Sequence, residues 1–503
     1  MAARIVTCLT LLSLLFFTQE AGSVTGVDQS ICSNLPFPQQ CQLFLGNTPS
    51  ISVPVSPLNS LGTLLQSTLT QAIQGLSYTT SLGSLVRSAR EKQALDDCIE
   101  LNQQSVQLLQ RINSASSSAV QKQTWLSASL TNLVTCSFGF VDLGVTSNVF
   151  NLLQNNATKL ISNCLALNNA PRFPSASVDG FPDWVRPGDR KLLQSTSITP
   201  NVVVAADGSG TFTTVNQAVA AISGNGRFVI YIKAGTYNEN VEIKKTNVML
   251  IGDGIGVTII TGNRSVVGGF TTFRSATVAV TGDNFIAQGI TFRNTAGPQN
   301  QQAVAFRSGS DLSVFYKCGF EGYQDTLYAH SLRQFYKNCD IYGTVDFIFG
   351  NAAVVVQSCN IYARDPPNRV NLVTAHGRTD PNQNTGIVIY DSNILGSNLS
   401  PAAKTYLGRP WKEYSRTVVM KSFLSSIIDP AGWYPWNGNL GLDTLYYGEY
   451  MNMGPGSTTA GRVTWKGYRV ITNYTEASQF SVDNFIQGSS WLPATSVPYI
   501  ATV

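Results

Sequence analysis

The spacing of apolar residues changes near residue 198, and the change divides the chain. Upstream, apolar positions recur at helical spacing. Leu61, Leu64, Leu65, Leu69 and Ala72 form one stripe, and Leu95, Cys98, Ile99, Val106 and Leu109 form a second. Leu126, Leu130, Leu133 and Val134 form a third, and Val149, Leu152, Leu153, Leu160 and Cys164 a fourth. Each stripe gives a helix one face to bury, so the pattern predicts an all-α four-helix bundle over 24–169. Downstream, Val, Ile, Phe, Tyr and Thr occur in short runs at 228–232, 248–251, 285–292, 354–356, 386–390 and 418–421, separated by turn residues. The 215–222 segment reads as a short helix covering an open sheet edge.

The β-rich half also repeats itself. Phe315-Tyr316-Lys317-Cys318 is followed by Phe335-Tyr336-Lys337-Asn338-Cys339 and then by Val355-Val356-Gln357-Ser358-Cys359. A β-sandwich also yields many short strands, but a fixed repeat favours a parallel β-helix over 198–503, one repeat per coil. Equivalent residues then stack at about 4.8 Å. The fold class expected is therefore multidomain, an N-terminal helical bundle followed by an all-β parallel β-helix.

The ends of these units carry their own signals. Arg4 precedes an apolar run over 5–17, with Ala21, Gly22 and Ser23 after it, so 1–23 reads as a secretory signal peptide. No other stretch is apolar enough to span a membrane, and a secreted, extracellular chain is expected. A proline-containing linker occupies 170–197, and the basic pair in Arg190-Lys191-Leu192-Leu193 makes it a candidate processing site. Sequons at Asn156, Asn263 and Asn473 fit secretion, whereas Asn398 is disfavoured by Pro401.

Composition narrows the chemistry. A net charge of +4 over 503 residues implies no nucleic-acid partner, and the pI near 8.5 suits an acidic polymer. Only two histidines are present, His330 and His376, and no HExxH, paired Cys-x-x-Cys or Gly-x-Ser-x-Gly motif occurs. No metal or cofactor is expected. Without Cys8 of the signal, eight cysteines remain, and several should pair in an oxidising compartment. Cys32 and Cys41 bracket a short proline-containing hairpin. Cys339–Cys359 and Cys318–Cys339 fit stacked positions equally well.

The repeat also brings acidic residues together. Asp325 and Asp346 each lie seven residues past a repeat cysteine, and Gln302 lies 23 residues before Asp325. On three consecutive coils these residues share one face, with Gln324 beside Asp325. Neighbouring carboxylates cannot both ionise cheaply, so one stays protonated. Arg409, in Leu407-Gly408-Arg409-Pro410-Trp411, is a candidate to keep the other ionised. An ionised Asp can then attack an acyl carbon, the protonated one can serve the leaving oxygen, and amides can hold the oxyanion. Trp411 and Trp433 are core aromatics or platforms for sugar rings, and His376 reads as structural. An Asp in a glycine-rich turn is commonly just a turn residue; the joint spacing of these two argues for a site.

Five ordered motifs resemble the plant pectin methylesterases (pectinesterases): Gly235-Thr236-Tyr237-Asn238-Glu239, Gln302-Ala303-Val304-Ala305, the segments 322–328 and 343–350, and Leu407–Trp411. The resemblance covers 198 to the C-terminus and implies a right-handed β-helix that hydrolyses methyl esters of pectin. It implies Asp346 as nucleophile, Asp325 as acid and base, Gln302 and Gln324 as oxyanion donors, Arg409 as the residue positioning Asp346, and Thr272 and Trp411 as substrate contacts. Leu95-Asp96-Asp97-Cys98-Ile99-Glu100-Leu101 and Thr124-Trp125-Leu126-Ser127-Ala128 resemble the pectin methylesterase/invertase inhibitor domain. That implies an autoinhibitory pro-domain, released at a basic-Leu-Leu site, and separate inhibitor proteins as further partners. The resemblance favours disulfides Cys339–Cys359, Cys32–Cys41 and Cys98–Cys136, leaving Cys164 and Cys318 free. Leu312, His376, Lys191 and Phe138 depart from the family pattern, Phe138 standing where an acidic residue is usual. A chain-cleaving polygalacturonase or lyase, or a non-enzymatic wall-binding inhibitor, are the competing readings.

Overall fold

The computed structural model describes residues 31–45, 57–114, 117–145, 156–168 and 199–503. The expected signal peptide, the Arg190, Lys191, Leu192 and Leu193 site, and Val149, Leu152 and Leu153 lie outside the described residues.

The apolar stripes become four long helices, α2 (Pro57–Ser81), α3 (Ala89–Ser114), α4 (Ala119–Asp142) and α5 (Ala157–Leu167), after a short α1 (Pro38–Leu45). Leu64, Leu109, Leu126, Leu160 and Cys164 meet in their shared core. A capping box starts α4: Ser118 Oγ accepts the Gln121 N–H, and the Gln121 side chain accepts the Ser118 N–H. Disulfides Cys32–Cys41 and Cys98–Cys136 tie the segment ahead of α1 to that helix and join α3 to α4.

From residue 202 the chain winds into three parallel sheets of eleven, eight and seven strands. One coil shows the rule. Ser313–Tyr316 lies in the first sheet, Gly319–Glu321 in the second and Leu327–Ala329 in the third, before Arg333–Lys337 returns to the first. Aromatic rings fill the lumen: Phe315 stacks on Tyr336 at 4.4 Å, and Phe306 meets Phe292 at 4.6 Å. The predicted 285–292 run is two strands, because Gly289 turns the corner at φ 67°. A Cβ there would stand 2.8 Å from the Gly252 carbonyl oxygen, so the corner requires glycine. The capping helix predicted over 215–222 spans Val215–Ala220.

On later coils the corner after the first sheet uses Lys317, Asn338, Ser358, Asp391, Lys421 and Met451, all in the left-handed region with φ between 47° and 53°. Side chains there cost energy, which the flanking strand pairing and the ladder behind the corner offset. Behind each corner one inward residue accepts the N–H of its equivalent on the preceding coil. Cys339 Sγ takes the Cys318 N–H at 3.5 Å, Cys359 Sγ the Cys339 N–H at 3.3 Å, and Ser392 Oγ the Cys359 N–H at 3.1 Å. Ser422 and Asn452 continue the series.

This ladder corrects the expected Cys339–Cys359 disulfide. Both thiols are free and buried, as are Cys164 and Cys318. Each sulfur is committed to an amide of the preceding coil and to nearby carbonyls, Cys339 to Phe315 O at 3.4 Å and Cys359 to Tyr336 O at 3.6 Å. Stacked equivalent side chains point the same way rather than toward each other.

Candidate active site

Asp325 and Asp346 occupy the turns that lead into the third-sheet strands Leu327–Ala329 and Ile348–Gly350. Leu327 pairs with Ile348, so the two aspartates are equivalent residues on adjacent coils. The Asp325 N–H donates to Val345 O at 3.0 Å, locking that register. Both have left-handed backbones, φ 62° and 52°.

Arg409 comes from the strand Lys404–Pro410, farther along the same sheet. Its Nε donates to Asp346 Oδ1 at 2.8 Å and its Nη2 to Oδ2 at 2.6 Å. The guanidinium lies 4.0 Å over the Trp436 ring, which fixes its plane. Burial raises the pKa of Asp346, and Arg409 pulls it back down. Asp325 is pushed well above the usual carboxylate range by burial, then by the charges of Asp346 and Asp142, with weak relief from Arg409. The pair is therefore asymmetric: Asp325 keeps its proton more firmly, and Asp346 is the better candidate for ionisation.

The amides are nearby, in a register that differs from the spacing argument. Phe306 pairs with Leu327, so Val304 stands level with Asp325, and Gln302 lies two residues upstream. Ala303 N–H donates to Gln324 O at 3.2 Å, which keeps the two glutamines adjacent. Gln302 Oε1 is buried with no hydrogen-bond partner among the described residues.

Trp411 is half-buried beside the site, 6.1 Å from the Phe349 ring. Trp433 is not a platform. It is 1% exposed in the β-helix lumen, stacks on Tyr447 at 4.2 Å and donates to Glu449 at 3.3 Å. Its neighbour Trp436 is the tryptophan at the site, and an aperiodic turn gave no parity to distinguish them. His376 is buried, accepts the Arg416 N–H at 3.0 Å and has its pKa lowered well below the usual range by burial. Of the sequon asparagines, Asn263 and Asn473 are exposed and Asn156 is half-buried.

The helical unit lies across this site, as an inhibitor-type domain would. Near the end of α4, Asp142 Oδ2 accepts the Thr272 N–H at 2.9 Å. The Phe138 ring meets Trp411 at 5.4 Å, with the Lys412 ammonium 3.8 Å from the Phe138 centroid. Thr135 Oγ1 lies 3.0 Å from His330 Nε2, and Asn351 donates to Thr131 at 2.8 Å. Leu95, Leu101 and Phe140 share an apolar cluster with Phe273, Tyr328 and Phe349 on the outer face of the third sheet. In this arrangement Asp346 is 4% exposed and Asp325 7%.

Residues 201–489 match the family model described as Pectinesterase, and 28–167 match Plant invertase/pectin methylesterase inhibitor. The chain belongs to the pectinesterase family. It is 59% identical over 479 residues to Pectinesterase 2 of Citrus sinensis, covering 94% of each chain. It is 54% identical over 490 residues to "Probable pectinesterase/pectinesterase inhibitor 17" of Arabidopsis thaliana, covering 95% of this chain and 96% of the relative. Among solved structures, pectin methylesterase from carrot matches at 58% identity and TM-score 0.60, covering 61% of this chain and all of that one. This pectinesterase is a carboxylic ester hydrolase of pectin with an inhibitor-type helical domain ahead of its β-helix. The chain-cleaving and non-enzymatic readings are not favoured.

Proposed function

We propose that the methyl ester of a galacturonate unit in pectin is cleaved by the Asp346–Asp325 pair. The observation that carries this is the two-point hold of Arg409 on Asp346, one coil from a carboxyl group that burial and like charge keep protonated. An Asp346 oxygen attacks the ester carbonyl, forming the C–O bond of a tetrahedral intermediate. The side-chain amides of Gln302 and Gln324 donate to its oxyanion. Collapse breaks the bond to the methoxy oxygen, which takes the Asp325 proton and leaves as methanol. Asp325, now ionised, draws a proton from water as that water attacks the acyl-enzyme. The second collapse frees the galacturonate carboxylate and Asp346. Thr272, Trp411 and Trp436 border the cleft and serve as substrate contacts.

The docked helical domain supports a second part of this reading, that the uncut chain is inhibited. Phe138, Asp142 and the apolar face of α3 and α4 occupy the surface a polymer would need. Cutting near Arg190–Leu193 would release it, and separate inhibitor proteins of the same helical type fit the exposed surface. The chain is assigned to the extracellular cell wall, where its substrate is found, with glycans at Asn263, Asn473 and Asn156.

Methanol release from highly methylated pectin, without new reducing ends or unsaturated products, tests the esterase reading. New chain ends without methanol would overturn it.

A further inference from the structure

The outer face of the third sheet holds cations that the ester chemistry does not use. Successive pairings stack Ala279, Arg307, Tyr328, Phe349, Ala375 and Arg409 in one column. Asp325 and Asp346 belong to the Tyr328 and Phe349 coils. Arg307 therefore lies one coil from the first and two from the second, roughly 5 and 10 Å along the axis.

Arg307 is 1% exposed, and its Nε and Nη1 have no hydrogen-bond partner among the described residues. Its guanidinium lies 3.4 Å from the centroid of the Phe273 ring. With Arg264, Arg274 and Glu242 it lines a cavity of about 70 Å³. Buried cations with idle donors are costly, and a second cation beside them adds to the cost.

Counter-charge arrives from the helical domain. Arg274 Nε pairs with Asp97 Oδ1 at 2.5 Å, and its Nη2 with Glu100 Oε2 at 2.7 Å. Lys244 reaches the same Glu100 at 3.4 Å. Burial lowers the pKa of Arg307, and Glu100 opposes that shift. When the helical domain leaves, these two carboxylates leave with it. Glu242, 3.5 Å from Arg274 and 3.3 Å from Lys244, is then the local anion facing several cations.

We propose that Arg274 and Arg307 form a subsite for a free carboxylate of the polymer, and that Asp97 and Glu100 take the Arg274 donors in the uncut chain. The ligand is an already de-esterified galacturonate beside the ester being cleaved, so this inference rests on the esterase reading. Guanidinium donors suit a carboxylate and gain little from a neutral methyl ester. Each turnover makes one more free carboxylate.

The probe is unesterified hexagalacturonate, titrated calorimetrically into the fragment 199–503 and into the uncut chain. The carrot enzyme is matched over its entire length by 61% of this chain, so a β-helix of this extent stands alone. The fragment is expected to bind the hexamer and the uncut chain to bind it at least tenfold more weakly. Arg274→Ala and Arg307→Lys should each weaken fragment binding about tenfold, the loss of one charge-assisted contact. Arg274→Glu, at a partly exposed position, carries the test if Arg307→Lys does not fold. No binding by the wild-type fragment, or wild-type affinity in both Arg274 variants, overturns the subsite. Equal affinity in fragment and uncut chain overturns the occupancy by Asp97 and Glu100. Methanol release by the same fragment is measured alongside. Methanol without hexamer binding sinks only the subsite, and hexamer binding without methanol sinks only the esterase reading.

Discussion

Arg409 grips both carboxylate oxygens of Asp346, at 2.8 and 2.6 Å, whereas Asp325 one coil away makes no ion pair among the described residues. In the proposed mechanism that asymmetry separates two chemically identical groups into nucleophile and acid. Asp346→Asn in the released β-helix should lower kcat for methanol release by at least about a thousandfold. Its thermal unfolding should stay cooperative. Retention of a tenth of wild-type kcat would remove Asp346 from the role proposed.

The same ion pair sets a pH dependence. Burial raises the Asp346 pKa and Arg409 lowers it, so removing the guanidinium moves the group upward. The proposed mechanism requires the ionised form, so the acid limb of kcat/KM should shift to higher pH. The shift should be large in Arg409→Met and smaller in Arg409→Lys, which keeps the charge but loses the two-point geometry. An unmoved acid limb in Arg409→Met would assign the limb to another group.

Docking of the helical domain should also depend on pH. Asp97 is raised to about 6 in the docked chain, chiefly by burial, against Arg274, Thr271 and Arg307. Asp142 is raised as well, again chiefly by burial. A carboxyl group with a higher pKa when docked holds its proton more tightly there. Docking is then strongest below the ordinary carboxylate range and weakens as pH rises toward about 6. Glu100, lowered by Arg274, Arg307 and Lys244 despite burial, acts in the opposite sense. The uncut chain should accordingly gain activity relative to the fragment between acidic and near-neutral pH. A constant ratio across that range would rule out this linkage.

Much of the fold was legible because a coil has a fixed length where its loops are short. The equal Cys-to-Asp spacing encoded the register of Asp325 and Asp346 directly. Gln302 came out two residues off because the coil that pairs Phe306 with Leu327 is shorter than the Gln302-to-Asp325 spacing, which places Val304 level with Asp325. The Cys339–Cys359 error has a different origin. Sequence puts both on the same column, but whether sulfurs join or accept amides depends on side-chain direction. The contact between Asp142 and Thr272 spans 130 residues and two domains, with no periodic signal to mark it.

The cysteine ladder makes a chemical prediction. A chain without its signal peptide should yield four titratable thiols after denaturation, from Cys164, Cys318, Cys339 and Cys359. Ser392 and Ser422 already perform the same accepting role on later coils. Cys359→Ser should therefore cost no more than about 1.5 kcal/mol and leave methanol release intact. Two titratable thiols instead of four would show that a further disulfide forms.

The two neighbouring tryptophans should separate stability from catalysis. Trp433 fills the lumen against Tyr447, and its indole N–H is held by Glu449, which also pairs with Arg462. Trp433→Ala should destabilise the β-helix by about 3–5 kcal/mol through the cavity it leaves. Trp436 lies under the Arg409 guanidinium near the cleft and contributes little to the lumen. Trp436→Ala should leave the melting temperature nearly unchanged while lowering kcat/KM, since Arg409 loses the ring that fixes its plane. The comparison needs both thermal melts and steady-state kinetics on the released fragment. If Trp433→Ala melts like wild type and Trp436→Ala keeps full kcat/KM, the assignment of these two rings is reversed.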